Sequence, residues 1–374
     1  MEREALAERY VRQPEKLLRR SAEASRSILH RAPVILIFVF VLVPVGARGQ
    51  SFRIAIVDFY GVRQTSEAAA RSALTIKEGD TIALAGEGRP AFVEESERRL
   101  SALPGVRRAH VGLVCCDEGG AIVYVGLEEN NAPVLRFRDA PRGGVRLPPA
   151  VVQAGRDFSA AVTAAILRGD TADDWSRGHS LMHDPAARAI QERFIEYARD
   201  RAPLAGVLRH SSNPEHRALA AEILGYAPDK RDVIGDLVYA LNDPSSDVRN
   251  DATRALVAIA QADADPHRAA PRIPIAPIVR LLHSPIWTDR NKASLALMNL
   301  SAARDRDVLA TLRTQAIVPL VEMARWKNSG HAMPALLILG RIAGQSDDEV
   351  ETAWKRGNRE IVISAALARA TRRK

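Results

Sequence analysis

Cysteine is nearly absent: the chain of 374 residues has two, Cys115 and Cys116, side by side. A disulfide framework is excluded as the source of stability, and no Cys-x-x-Cys spacing exists to seed a structural zinc site. Neighbouring Cα atoms lie about 3.8 Å apart, below the usual disulfide range, so a vicinal bridge would be strained. On a strand the two thiols point to opposite faces, and at least one is a small core residue; an intermolecular disulfide is the other reading. Aromatic residues make up only 5% of the chain while Ala, Leu, Ile and Val dominate, which argues against a large β-sandwich and for packed helices with small α+β units. The net charge is +8, yet 53 basic residues are scattered among 45 acidic ones and no five stand consecutively. A backbone-tracking basic patch is missing, so no nucleic-acid partner is expected.

Long apolar runs are also lacking. The strongest, APVILIFVFVLVP at 32–44, would reach about 20 Å as a helix, short of a hydrocarbon core of about 30 Å. Arg19, Arg20, Arg26 and Arg31 precede it, and small residues at Val45, Ala47 and Gly49 come after it. This is the pattern of an export signal, either cleaved near Gln50 or retained as an anchor that associates the chain with a membrane. Both readings place the chain beyond residue 50 outside the cytoplasm, periplasmic or secreted, because the arginines come first. Residues 1–49 are therefore read as a leader.

Catalytic signatures are absent as well: there is no G-x-S-x-G elbow, no P-loop, no glycine fingerprint after a strand and no H-E-x-x-H. No catalytic residue and no cofactor is assigned. The best metal-like cluster is His179 and His183, four apart and flanked by Asp173, Asp174 and Asp184. On one helix such a pair could share an ion, but Gly178 and Pro185 bracket the stretch. Loop hydrogen bonds and a cap for the helix starting near Pro185 are the plainer expectation.

What is present divides the chain in two. FRIAIVDFYG at 52–61 alternates as a strand; Thr65 and Ser66 offer an N-cap for a helix predicted to stop near Gly79-Asp80. A second helix is predicted over PAFVEESERRLSAL, then a hairpin of RRAHVGLVCC and AIVYVGLEE around Asp117-Glu118-Gly119-Gly120. The order is β-α-α-β-β. With Gly61 after the first strand, the Lys77-Glu78-Gly79-Asp80 turn, the Leu-Pro-Gly-Val entry to the second strand and the closing Glu128, residues 52–129 resemble the POTRA domain. The resemblance implies an α+β fold whose sheet edge accepts an extended polypeptide. Residues 130–184 read as a linker plus helical connector: a linker or loosely packed connector at 130–148, then a helix from about Pro149 to Arg168.

From 185 onward the pattern repeats. HSSNPEHRALAAEILGYA, NDPSSDVRNDATRALVAIA and HSPIWTDRNKASLALMNLS align on Arg217, Arg249 and Arg290, on Ala220, Ala252 and Ala293, and on Leu224, Leu256 and Leu297. A fourth copy keeps Ala335 and Leu339 but has Ala332 in place of the arginine. The period of roughly 30 to 40 residues is that of a helix-pair solenoid. Asp243, Pro244, Val248 and Arg249 resemble the HEAT-repeat turn, a first helix, Asp-Pro, then a second helix opening on Val-Arg. That resemblance implies an all-α solenoid over 185–374, closed by a capping helix, with protein ligands on its concave side. It also implies a ladder of turn aspartates and helix arginines, here only partial because Ser211 and Ser284 replace the aspartate. Asp251, Arg254, Lys292 and Asn299 are expected on the exposed inner face as candidate contacts; Asp243 and the three arginines are expected to be structural.

Overall fold

The computed structural model describes residues 50–84, 89–117, 120–170, 172–174, 179–262 and 272–371. The apolar segment 32–44 and the side chains of Cys115 and Cys116 lie outside the described residues.

The first domain comprises β1 (Gln50–Tyr60), α1 (Glu67–Ala73), β2 (Thr81–Leu84), α2 (Ala91–Ser101), β3 (Val106–Asp117) and β4 (Gly120–Glu129). The sheet order is β2-β1-β4-β3, with β1 parallel to β4 and the other neighbours antiparallel. Strand β2 was not expected from the sequence. Its four residues are too short to show alternation, and they are extended because β1 starts early enough to pair Gln50–Arg53 with them. Helix α1 also stops sooner than Gly79-Asp80. Leu74 is already extended, and the Thr75 N–H donates to Ser96 Oγ at 3.2 Å on α2 instead of continuing the helix. Ser66 caps α1 by accepting from the Ala69 N–H at 3.1 Å. Ile54, Val57, Ala70, Val93, Leu100, Val123, Val125 and Leu127 form the core between the sheet and these helices.

Central strand β4 is buried along its whole length. Val123, Val125 and Leu127 face the helices; Tyr124 and Gly126, of opposite parity, face the repeats.

Helix α3 spans Pro149–Leu167, as its apolar face predicts, and the two-residue strands β5 (Asp173–Asp174) and β6 (Leu181–Met182) pair before α4 (Pro185–Tyr197). Helix pairs then stack: α5 (Arg201–His210) with α6 (Pro214–Leu224), α7 (Lys230–Ala240) with α8 (Ser246–Ala262), and α9 (Ile275–Leu281) with α10 (Trp287–Leu300). Helix α11 (Arg306–Gln315) is inserted before α12 (Ile317–Ala324) and α13 (Ser329–Ala343), which lengthens that interval. The last pair is α14 (Asp347–Lys355) and α15 (Arg359–Thr371). The aligned alanines Ala220, Ala252, Ala293 and Ala335 are all fully buried, where small side chains let paired helices approach.

Sheet and repeats belong to one compact unit. Tyr124 stacks on Trp287 with centroids 5.1 Å apart, and its hydroxyl is hydrogen-bonded to His331 Nδ1 at 2.6 Å. Trp326 packs 4.9 Å from Tyr124 and 5.6 Å from Tyr60, whose hydroxyl donates to the Pro285 carbonyl at 2.8 Å. Gly126 makes this approach possible: a Cβ there would lie 2.0 Å from the Pro285 oxygen.

The connector at 130–148 is not loosely packed. It runs as a strap along the turns of the first pairs: the Arg138 N–H donates to the Asn242 carbonyl at 2.9 Å, the Ser212 N–H to the Gly143 carbonyl at 2.7 Å, and the Leu147 N–H to His216 Nδ1 at 2.9 Å. Phe137 lies 3.8 Å beneath the Arg249 guanidinium. Glycine and proline mark the strap's irregular backbone, but its hydrogen bonds are supplied by residues far along the chain, which local sequence cannot show.

Candidate functional site

Two sets of charges run along the second helices of the pairs, and they differ in whether they are satisfied.

The first set is the arginine ladder. Arg217 donates from Nε and Nη2 to both oxygens of Asp243 at 2.8 Å, and from Nη1 to its own turn at Ser211 and Ser212. Arg249, fully buried, repeats this: Nε and Nη2 reach Asp289 at 2.9 and 2.8 Å while Nη1 reaches the carbonyls of Asp243 and Pro244. Arg290 donates to Glu322 at 2.6 Å and to the Ser284 carbonyl at 2.6 Å. The expectation that Ser284 interrupts the ladder is corrected, while the fourth copy, with Ala332 at the arginine position, carries no rung. Where the turn aspartate is replaced by Ser284, Asp289 supplies the carboxylate from the helix itself, held by the Ser284 hydroxyl at 2.6 Å; the third rung draws on Glu322 from α12. Asp243 also accepts from the Ser245 N–H at 2.9 Å, closing its turn, and from Arg138 of the strap. The Arg217–Asp243 and Arg249–Asp289 pairs are fork-on-fork, the strong form of the ion pair. These residues brace one unit against the next.

The second set occupies positions two and five residues after each ladder arginine: Leu219 and Glu222 on α6, Asp251 and Arg254 on α8, Lys292 and Leu295 on α10. Asp251, Arg254 and Asn299 are half-buried, and exposed Asp247 lies one turn before Asp251. Lys292 is corrected: only 4% of it is exposed, so it is buried rather than on an exposed face. Glu222 was missed, although it occupies the position of Arg254 one unit earlier, and the repeat register would have found it. Asp173 lies close enough to feel Arg254 and Lys292, and Tyr226 to feel Glu222 and Arg254.

Among the described residues, the Arg254, Lys292 and Glu222 side chains make no hydrogen bond within 3.5 Å and no ion pair within 4.0 Å, and Asp251 accepts only from the Asn250 amide at 2.9 Å. Their electrostatics reflect this. Burial, with Glu222 close by, holds the Asp251 carboxyl well above the ordinary carboxylate range, and burial raises Glu222 and Asp173 as well. Burial and the neighbouring Arg254 press Lys292 down to about 7. For Arg254 burial works against the charge, but Glu222 and Asp251 outweigh it and the guanidinium is raised.

The structure does not bring His179 and His183 together. His179 is buried, stacked on Tyr226 at 5.7 Å with Nδ1 2.9 Å from Lys230 Nζ; His183 is exposed, just past the end of β6. Asp184 caps α4 by accepting from the Ala187 N–H at 2.9 Å. The described residues hold no group of three or more His, Cys, Asp or Glu placed to bind a metal ion.

Edge strand β3, and β1 beyond β2, are capped in part by side chains. The outward N–H groups of Ala109 and Val111 on β3 donate to Ser101 Oγ at 3.1 Å and Glu97 Oε1 at 2.8 Å. On β1, beyond the stretch that β2 covers, the Val57 N–H donates to Glu78 at 3.0 Å. Side chains thus occupy the positions an added strand would use.

Residues 202–271 match the family model for HEAT repeats, the stretch that contains the first two ladder arginines. No curated protein matches the chain. The chain is therefore a small α+β domain joined to an all-α solenoid carrying HEAT repeats, a class of repeat that generally mediates protein–protein interaction.

Proposed function

We propose that the protein is an exported, non-enzymatic interaction scaffold that holds a protein partner in the inner groove of its repeats. The observation that carries this reading is the contrast within one set of helices. Ladder charges are paired at hydrogen-bond distance, whereas Glu222, Arg254 and Lys292, half or fully buried, answer one another only at longer range among the described residues. Side chains held close to one another without direct bonds are free to bond a ligand, and each such bond adds to binding. Export rests on the arginine-flanked segment 32–44. The POTRA-like resemblance of the first domain supports an envelope setting, and the side chains that cap part of β1 and β3 favour the repeats over those edges as the binding surface.

Affinity capture with the full chain from envelope extracts tests the scaffold. A partner retained by the native protein and lost on Asn299→Trp, which fills the groove without altering its charge, supports it. Equal recovery with both, or none above background, contradicts it.

A second reading is an envelope-anchored assembly component in which the solenoid spaces other parts. The strap and the docked sheet favour it, because they brace the repeats along their turns. N-terminal sequencing of the protein from its native host separates the two: a mature chain starting near Gln50 excludes the anchor.

A further inference from the structure

We propose that the strap at 130–148 is a membrane-contacting surface, its arginines meeting the phosphates of an anionic phospholipid bilayer while Val134 and Val145 enter the headgroup boundary. The strap is fixed to the repeats through its backbone and through two side chains, Phe137 beneath Arg249 and Arg138 on Asp243. Its remaining charges are not spent on the fold. The segment carries four arginines against one acid, Asp139. Arg136, Arg142 and Arg146 are exposed, and among the described residues their side chains make no hydrogen bond within 3.5 Å and no ion pair within 4.0 Å. Apolar side chains accompany them. Five large hydrophobics are exposed among the described residues, and the strap holds two of them, Val134 at 52% and Val145 at 43%.

The backbone contacts spread these arginines over successive helix pairs. The Arg136 carbonyl accepts from exposed Arg280 of α9 at 2.8 Å, and the Arg138 N–H reaches Asn242 beyond α7. Gly143, next to Arg142, lies on Ser212 beyond α5, and Leu147, next to Arg146, reaches His216 of α6. A single phosphate or phosphorylated side chain meets one of these positions; a surface that repeats its anionic groups meets them all. Guanidinium groups take phosphate oxygens two at a time, which suits arginine rather than lysine to the task. Single-stranded nucleic acid also repeats its phosphates, but its sites add aromatic platforms for the bases. The strap's one aromatic, Phe137, is turned inward beneath Arg249 at 3.8 Å. Exposed aliphatic side chains among cations fit a bilayer surface, where charge is held at the headgroups and apolar groups sink below them. The contact lies along the turns of the pairs, so it stands whether or not a protein partner occupies the inner groove.

Co-flotation of the full-length protein with lipid vesicles tests this, comparing phosphatidylglycerol mixed equally with phosphatidylcholine against phosphatidylcholine alone. The anionic vesicles bind more tightly, and the preference fades in high salt. Arg136→Gln with Arg142→Gln and Arg146→Gln weakens binding to the anionic vesicles about fivefold per residue, about a hundredfold in all. Val134→Ser with Val145→Ser weakens it about fivefold. A control removes the same charge elsewhere: Arg306→Gln with Arg356→Gln and Arg369→Gln, all exposed and unpaired among the described residues, changes binding by less than about threefold. Segment 32–44 is the same in every variant, so its contribution cancels, and none of the substituted arginines bonds a described residue through its side chain. Equal binding to the two kinds of vesicle, equal losses in the strap and control variants, or indifference to the valines overturns the proposal. So does strap-dependent binding of a short single-stranded oligonucleotide by a protein that ignores the vesicles.

Discussion

Helix α8 carries two arginines five positions apart with opposite fates. Arg249 is fully buried and spends its donors on Asp289 and two carbonyls of its own turn, with Phe137 beneath it. Arg254 is half-buried, surrounded by Glu222, Asp251 and Asp173, and bonded to none of them. Sequence position and residue type hardly distinguish them; the face of the helix does. On the side that meets the strap and the next unit, charge is consumed in holding the fold together. On the inner side it is held in reserve.

The largest effects should come from breaking the satisfied side. Asp289→Ala strands the buried Arg249 guanidinium and the Ser284 hydroxyl, and removing one partner of a buried pair costs about 3–5 kcal/mol. Urea unfolding should show that loss. Next comes the contact between sheet and repeats. Trp287→Ala removes the ring stacked on Tyr124 and leaves a cavity, costing about 3 kcal/mol, and the variant should open the sheet to proteolysis before the repeats.

Acid should act on the same contact. His331, facing Tyr124, Trp287 and Lys292, is pushed down to about 3 by burial. Between its ordinary value of 6.5 and about 3, the unfolded chain binds the proton and the folded one does not, so stability falls as pH drops through that window. His331→Asn should flatten the decline, measured by unfolding from about pH 7 to about pH 4. The smallest effect belongs to the reserved side and has the reverse sign. The Asp251 carboxyl is raised by burial and by Glu222, so the folded state holds its proton longer than the unfolded state does, and stability is lost as pH rises through the folded value. Asp251→Asn should make the protein slightly more stable at about pH 8, with the difference vanishing in acid.

Much of this was legible in the sequence, and what was not has physical causes. The ladder arginines could be read because Arg217, Arg249 and Arg290 keep one register, as do the buried alanines. Of their acids only Asp243 could, from the turn that resembles the HEAT repeat; Asp289 comes from a second helix and Glu322 from a first helix, and only packing shows that the three serve one purpose. Strand β2 escaped because four residues carry no period. The strap escaped because Asn, Pro and Gly look the same in a loose linker and in a fixed irregular segment. Of the candidate contacts expected to be exposed, Asp251, Arg254 and Asn299 are half-buried and Lys292 is buried, and Glu222 was overlooked although it shares Arg254's register.

The contrast between the two faces of α8 can be measured directly by comparing urea unfolding of Arg249→Met and Arg254→Met at neutral pH. Arg249→Met should lose about 3–5 kcal/mol, because Asp289 is left buried and unpaired. Arg254→Met should change stability by less than about 1 kcal/mol, since no bond to a described residue is broken. Equal losses in the two variants would contradict the division of this helix into a structural face and a binding face.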